Sequence, residues 1–306
     1  MIAKDAVRTS DQKSPFRLSP LMQFSILTII SGAVWWKALV STLALALHNE
    51  QYTHILLILP VSAALLYMDW RSPDPTTQAS LSIGSSLLGV AALATIAIRP
   101  GGPRLQPDEQ LSLNMLALVV WWLGSFIFCF GVRAFWRALF PLCFLLWIVP
   151  IPQFVLSPII KMLQKGSVTS AHLLLAAVGI PVTEDGVLLT IPGLTVEVAR
   201  ECSSIRSSLM LVVTTMVLAQ ILLGSAWRKT LVIALAIPLS VAKNGLRIFV
   251  LAMLATRVDR SFLTGKLHHQ GGVIYLLIAL AGIFLVIWIM WRGERKLSSA
   301  TTSDGL

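Results

Sequence analysis

Charged residues are scarce in this sequence. Only 12% of its 306 residues are Asp, Glu, Lys or Arg, whereas 56% are hydrophobic, and the mean hydropathy is +0.80. Soluble domains are about a quarter charged. The chain therefore lacks the polar side chains needed to cover a water-exposed surface, which excludes a soluble globular domain and indicates a protein embedded in a lipid bilayer.

Acidic residues are scarcer than basic ones, and the formal net charge is +10. An excess of positive charge can favour nucleic acid, but here the basic residues lie mainly at the ends of apolar runs. Membrane proteins use Lys and Arg in this way. We therefore expect the bilayer, and no nucleic acid, as a partner.

Cysteine is rare, and the familiar metal-binding patterns are missing. The three cysteines, Cys129, Cys143 and Cys202, form no Cys-x-x-Cys pair, so no disulfide framework is expected. Cys129 and Cys143 lie inside apolar runs, where a thiol usually packs as a small hydrophobic group. No His-Glu-x-x-His motif is present. We expect neither a metal nor another cofactor.

Long apolar runs are abundant and predict the fold class. A spanning helix needs about 20 mostly apolar residues, and about eight segments approach that length. The chain is therefore expected to be an all-α polytopic membrane protein, with an integral-membrane domain over 21–291 and cytoplasmic tails over 1–20 and 292–306. The segments are Leu21–Leu45, Thr53–Asp69, Ala79–Ile98, Leu111–Phe130, Phe135–Val149, Ile205–Leu223, Lys229–Ala255 and Gly271–Trp291.

The region between the fifth and sixth segments has a different pattern. Val155–Val178 is apolar but carries Lys161 and Lys165 near its middle, which predicts an interfacial or re-entrant helix because a charge is costly at a bilayer centre. Gly186–Ile191 and Leu194–Val198 read as two short strands around a Pro-Gly turn. We expect a small extracytoplasmic β-hairpin that leads into Cys202.

Three polar positions are predicted to meet at one membrane face. Cys202 directly precedes the sixth span and His268 the eighth, while Arg247 lies about 27 Å along the seventh, near its far end. Because successive spans alternate in direction, all three reach the same side. The basic N-terminal flank favours a cytoplasmic N-terminus, which makes this side extracytoplasmic.

Each of the three residues has a chemical and a structural interpretation. Cys202 would lie at the positive end of a helix, where a thiol is activated as a nucleophile, or it is an inert interfacial cysteine. Arg247 is suited to stabilising an oxyanion, or its charge extends to the membrane surface. His268 suits a general acid or base, although its neighbour His269 has the same chemistry and both could be surface residues without a role.

The order of these motifs resembles the exosortase/archaeosortase family. The similar stretches are Glu201-Cys202-Ser203-Ser204-Ile205-Arg206-Ser207, Asn244-x-x-Arg247 and His268-x-x-Gly271-Gly272, with Tyr52-Thr53-His54 as a further feature. The resemblance implies a multi-pass thiol protease and transpeptidase of the bacterial inner membrane. It implies catalytic roles for Cys202, Arg247 and His268, with His268 preferred to His269 on its spacing to Gly272. The implied partners are exported proteins with C-terminal sorting signals of the PEP-CTERM kind. Val273 departs from the family pattern, in which many members have Trp, and leaves the subfamily open.

Two other function classes compete with this interpretation. A metal-dependent membrane protease could use His48, Glu50, His54, His268 and His269, but their spacing matches no known metal-ligand motif. A non-enzymatic component of exopolysaccharide export, or a transporter, is the second alternative. Many transporters are built from repeats with corresponding interrupted helices, and no internal repeat is evident here.

Overall fold

A computed structural model describes residues 19–69, 80–98, 105–198, 205–259 and 272–303. These residues form a bundle of helices with one small sheet. The helices are α1 (Pro20–Val34), α2 (Trp36–His48), α3 (Ile55–Asp69), α4 (Leu81–Ala97), α5 (Pro107–Arg137), α6 (Leu139–Phe144), α7 (Gln153–Ala177), α8 (Ile205–Leu222), α9 (Ala226–Arg257) and α10 (Gly272–Ser303). Short 3₁₀ turns at Glu50–Tyr52 and Leu145–Ile148 precede α3 and follow α6.

The predicted class, an all-α polytopic membrane protein, is confirmed. Five stretches are long and apolar enough to cross a membrane, and the number rises to seven if each of two bent helix pairs counts as one span. The third predicted segment is a shorter apolar helix, α4. Every predicted segment thus contains a helix, although α10 continues into the predicted polar tail as far as Ser303.

Two of the predicted spans are bent. The first is divided at Trp35, where α1 and α2 meet at 74°. The fifth, predicted as Phe135–Val149, is not one helix: its first three residues end α5. The remainder, Leu139–Ile148, is about 15 Å of helix and turns by 94° into α7. A bend of this size is the shape of a broken span or a re-entrant segment. Pro150 and Pro152 lie at the turn, where proline removes a backbone donor and fixes φ.

The predicted β-hairpin is present and is extended by a strand that the sequence did not predict. β2 (Leu188–Ile191) pairs antiparallel with β3 (Leu194–Glu197), and β1 (Thr183–Asp185) pairs with the other edge of β2. The hairpin turn contains Gly193 at φ +77°, a backbone conformation that favours glycine. β1 escapes sequence analysis because it is three residues long and polar; its Glu184 accepts a hydrogen bond from Thr169 of α7 at 2.9 Å.

The sheet lies against α7 and α9. Leu189 and Ile191 of the sheet pack with Leu175 of α7 and with Ile248 and Ala252 of α9 in one buried cluster. A second cluster joins α8, α9 and α10; it consists of Leu211, Ala219, Leu223, Val232, Ala236, Ala279, Ile283 and Ile287. The two clusters share α9, which is therefore the helix that links the sheet to the last spans.

Two contacts along α9 fix the directions of the last three helices. Just past the middle of α9, Lys243 contacts Ser207 in the first turn of α8, and near the start of α9, Lys229 donates to Gln220 in the last turn of α8 at 2.9 Å. α8 and α9 are therefore antiparallel. Gly272, the first residue of α10, lies beside Arg247, whereas Glu294 bonds the turn before α9. α8 and α10 therefore both begin at the Arg247 end of α9.

Candidate active site

Of the three residues predicted to carry the chemistry, the described ranges include Arg247. Its side chain is half-buried on α9. A Cβ atom built on Gly272 would lie 4.0 Å from Nη1 of Arg247, which puts the guanidinium at the first residue of α10. Cys202 and His268 fall in 199–204 and 260–271, outside the described residues.

A second cation lies one helical turn before Arg247. Lys243 is buried, and its Nζ donates a hydrogen bond to Oγ of Ser207 in the first turn of α8. A buried ammonium group requires such a partner because its desolvation is costly. The contact joins α9 to α8 five residues after Cys202 in the sequence. The sequence alone does not reveal this link, because Lys243 and Ser207 are 36 residues apart.

Asn244, the first residue of the Asn-x-x-Arg motif, faces α7. Its Nδ2 donates to Oγ of Ser167 at 2.9 Å, and the Ser167 hydroxyl donates to the Leu163 carbonyl at 2.7 Å. Both Asn244 and Ser167 are buried. Buried polar groups are normally paired in this way, so Asn244 acts as a link between two helices that fixes the rotation of α9.

Gly245 lets α7 and α9 approach closely. A Cβ at this position would lie 2.3 Å from Oγ of Ser170 and 2.4 Å from its Cβ. One turn earlier, a Cβ on Gly166 would lie 2.9 Å from Val241. Residue numbers rise together from the Gly166–Val241 contact to the Ser170–Gly245 contact. α7 and α9 therefore run side by side in the same direction. This part of α7 therefore packs lengthwise against α9.

Val198, the last described residue before Cys202, is held in place by two hydrogen bonds. Nε2 of Gln164 on α7 donates to the Val198 carbonyl at 2.8 Å, and both residues are buried. The Val198 amide also donates to the Val187 carbonyl at 2.9 Å. Val198 is four residues before Cys202, so the described chain is fixed on both sides of the predicted nucleophile.

The Tyr52-Thr53-His54 feature lies near the start of α8. Glu50, in the 3₁₀ turn before α3, pairs with Arg206 of α8 at 2.8 Å. Tyr52 donates its hydroxyl hydrogen to the Ile151 carbonyl at 3.1 Å. His54 is buried, with its ring edge-on to Trp147 at 6.3 Å between centroids. This turn therefore joins α3, the bend before α7 and the first turn of α8.

Comparison with known families identifies the chain. The family model described as transmembrane exosortase matches residues 35–285, most of the sequence. The chain belongs to the transmembrane exosortase family. No curated protein and no solved structure matches it significantly.

Family membership gives this exosortase a coarse function. Exosortases are membrane proteins that act on exported proteins with C-terminal sorting signals, and they are generally cysteine peptidases or transpeptidases. A membrane transpeptidase or protease role is thus supported. The matched range includes Cys202, Arg247 and His268.

The residues suggested for a metal protease do not converge within the described part of this exosortase. His48 bonds the Ala44 carbonyl of its own helix at 2.8 Å, while His54 packs on Trp147. Within the described ranges, no group of three His, Cys, Asp or Glu residues could hold a metal ion. His268 and His269 lie outside those ranges.

Proposed function

We propose that this exosortase is a cysteine transpeptidase in which Cys202 is the nucleophile, Arg247 stabilises the oxyanion, and His268 is the general acid and base. The observation that carries the proposal is the convergence of two helix starts on one turn of α9. Ser207 of α8 contacts Lys243, and Gly272 of α10 lies beside Arg247.

Covalent geometry limits how far the other two residues can lie from the starts of α8 and α10. Cys202 is three residues before Ile205, and His268 is four residues before Gly272. An extended chain spans at most about 3.6 Å per residue. The Cα atom of Cys202 is therefore within about 11 Å of that of Ile205, and the Cα atom of His268 within about 14 Å of that of Gly272. Both limits allow the side chains to meet at the guanidinium.

The first half of the proposed reaction forms a thioester. The Cys202 thiolate attacks the carbonyl carbon of the scissile peptide, a sulfur–carbon bond forms, and the carbonyl electron pair moves to oxygen. The Arg247 guanidinium donates hydrogen bonds to that oxyanion, which is the form of stabilisation that most lowers such barriers. Protonated His268 gives its proton to the leaving nitrogen as the carbon–nitrogen bond breaks.

The second half transfers the acyl group. An acceptor nucleophile, an amine or a related group, loses a proton to His268 and attacks the thioester carbon. The tetrahedral intermediate collapses, the sulfur–carbon bond breaks, and Cys202 leaves as a thiolate. The enzyme returns to its starting protonation state with the sorted protein joined to its acceptor.

We propose exported proteins with PEP-CTERM-like sorting signals as substrates, and a site at the extracytoplasmic face of the bacterial inner membrane. Arg228, Arg292 and Arg295 lie at the ends of α9 and α10 opposite Arg247. Basic residues at helix ends favour the cytoplasmic side. An extracytoplasmic site would receive substrates after their export, while the sorting signal still holds them in the membrane.

Processing of a reporter with such a signal tests the proposal. Cells that express wild-type exosortase should shorten the reporter, whereas Cys202→Ala should abolish shortening at an unchanged level of membrane-inserted enzyme. Cys143→Ala is the matched control, because it removes a half-exposed thiol of α6 and should leave processing intact. Continued shortening by Cys202→Ala would refute the nucleophile, and inhibition by a chelator but not by alkylation would favour the metal-dependent alternative.

A further inference from the structure

The far end of the apolar stretch of α10, Gly272–Lys296, carries two stacked pairs of a guanidinium and an indole. The Arg292 guanidinium lies over the Trp288 ring at 3.7 Å, and that of Arg295 over the Trp291 ring at 4.2 Å. Each arginine follows its tryptophan by four residues, and the second pair follows the first by three. All four side chains therefore lie on one face of the helix. They are about 30 Å along α10 from Gly272, at the end opposite Arg247.

An apolar surface leads up to these pairs. Leu277, Phe284 and Leu285 precede them on the same side of α10, and all three are exposed. The α10 stretch is the least buried of the five that are long and apolar enough to span a membrane. A lipid acyl chain fits such a surface, because Leu277 lies about 17 Å along the helix from Trp288, close to half the thickness of the hydrocarbon core.

Contacts of Glu294 fix this part of α10 to the start of α9 and to the turn before it. The Glu294 oxygens accept hydrogen bonds from the amides of Gly224 and Ser225, each at 3.0 Å, and pair with Arg228 at 3.4 Å. Arg228 also donates to the Met290 carbonyl at 2.9 Å. The charge of Arg228 is therefore balanced within the protein, whereas the side chains of Arg292 and Arg295 on the same part of α10 are exposed.

Stacking leaves both of these guanidinium groups able to bind an anion. The ring covers one flat face of the group, while its N–H donors point outward in the plane. Within the part of the chain that the structure describes, neither group is paired with a carboxylate. Both are exposed. A phosphate diester matches a guanidinium in charge and in the spacing of its oxygens.

We propose that this face of α10 binds an anionic glycerophospholipid, with its phosphate on Arg292 and Arg295 and its acyl chains along Leu277, Phe284 and Leu285. Trp288 and Trp291 lie at the boundary between the headgroup and the chains, the depth that tryptophan prefers. The apolar surface selects a lipid over a soluble phosphate, and the two cations select an anionic headgroup over a zwitterionic one.

Native mass spectrometry of the full-length exosortase tests this site. The protein is released from nanodiscs that contain equal amounts of phosphatidylglycerol and phosphatidylcholine, and the lipids retained per protein are counted. Wild type should retain phosphatidylglycerol preferentially. Arg292→Gln and Arg295→Gln should each lower that preference about fivefold, which is the usual contribution of one basic residue near an anionic surface.

The matched control removes two charges elsewhere. Arg133→Gln/Arg137→Gln at the end of α5 lowers the net charge as much as Arg292→Gln/Arg295→Gln and should leave the preference unchanged. Equal losses for the two double variants would overturn the site, because net charge alone would then account for binding. So would a wild-type protein with no preference, or a dimer that only the α10 variant abolishes. An unchanged unfolding temperature without added lipid establishes that the α10 variant is folded.

Discussion

Lys243 of α9 donates a hydrogen bond to Ser207 of α8 within the membrane-spanning bundle. The two residues lie at the point where α8 begins, one turn from Arg247 and five residues after Cys202. A buried cation is an expensive way to join two helices. Because Ser207 follows the proposed nucleophile by five residues in the sequence, we expect this contact to hold the start of α8 beside the turn of α9 that carries Arg247.

Replacing Lys243 by Met should therefore impair the reaction more than the fold. The methionine fills a similar volume without a charge, and neutral replacement of a buried charged group often leaves stability unchanged. The spacing between α8 and α9 would no longer be fixed at the site, and small misplacements cost large factors in rate. We expect processing of the reporter to fall about 10- to 100-fold, measured at equal amounts of inserted enzyme.

Lys229→Met provides the matched control for that variant. Lys229 joins the same two helices through Gln220 at 2.9 Å, but it lies about 21 Å from Lys243 along α9, toward the start of that helix. Processing should remain close to wild type. Equal losses in the two variants would mean that any contact between α8 and α9 suffices, and Lys243 would have no special relation to the site.

Gly245→Ala should destabilise the protein by about 1–3 kcal/mol, the usual cost of overpacking. The added methyl group would overlap Ser170 of α7, whose Oγ lies 2.3 Å from the Cβ position. Thermal unfolding in detergent measures the loss. Gly282→Ala is the control, since the nearest atom there is Cδ2 of Leu239 at 4.0 Å, and alanine should stabilise that helix position slightly.

A double variant separates this overlap from other effects of the methyl group. Ser170→Gly removes the two side-chain atoms nearest to the new methyl group and leaves the Ala171 backbone nitrogen at 3.1 Å. Combined with Gly245→Ala, it should restore part of the lost stability, so that the double variant is more stable than the sum of the single changes predicts. Additive losses would show that the close approach of the two helices is not the cause.

Glu294→Gln should weaken the attachment of α10 to α9. The carboxylate accepts one amide hydrogen on each oxygen, from Gly224 and Ser225, whereas an amide side chain offers a single acceptor oxygen. A lost hydrogen bond to a charged, partly buried group costs about 1–3 kcal/mol, which thermal unfolding would detect. Glu50→Gln breaks an exposed pair with Arg206 and should change the unfolding temperature little; equal shifts would contradict this account.

Much of the fold could be predicted because the bilayer imposes simple rules. Apolar length located a helix in each predicted segment, although the eight predicted spans exceed the five to seven candidates of the structure, and the Pro192-Gly193 turn located the hairpin. The bend at Trp35 and the close run of α7 along α9 could not be predicted, because they depend on packing between distant segments. Strand β1 was missed because Glu184 is positioned by Thr169 of α7, which a local pattern does not reveal.

The approach of α8 and α10 to the part of α9 that carries Arg247 was predictable for a similar reason, whereas the positions predicted for Cys202 and His268 lie outside the described residues. Alternating helix directions alone bring the starts of α8 and α10 to the Arg247 end of α9, and the contacts of Lys243 and Gly272 agree with this. The links through Ser167 and Ser170 were not predicted. Lys161 and Lys165 had predicted an interfacial or re-entrant α7, but that pattern does not reveal that Ser167 bonds Asn244 and that Ser170 lies against Gly245.

The most direct measurement is mass spectrometry of the acyl-enzyme. Purified exosortase would be incubated with a sorting-signal peptide in the absence of an acceptor, quenched in acid and digested. The proposal predicts that the N-terminal part of the substrate is attached to Cys202 through a thioester that hydroxylamine releases, and that Arg247→Met greatly reduces its formation. An adduct on Cys143, or cleavage of the peptide by the Cys202→Ala enzyme, would contradict it.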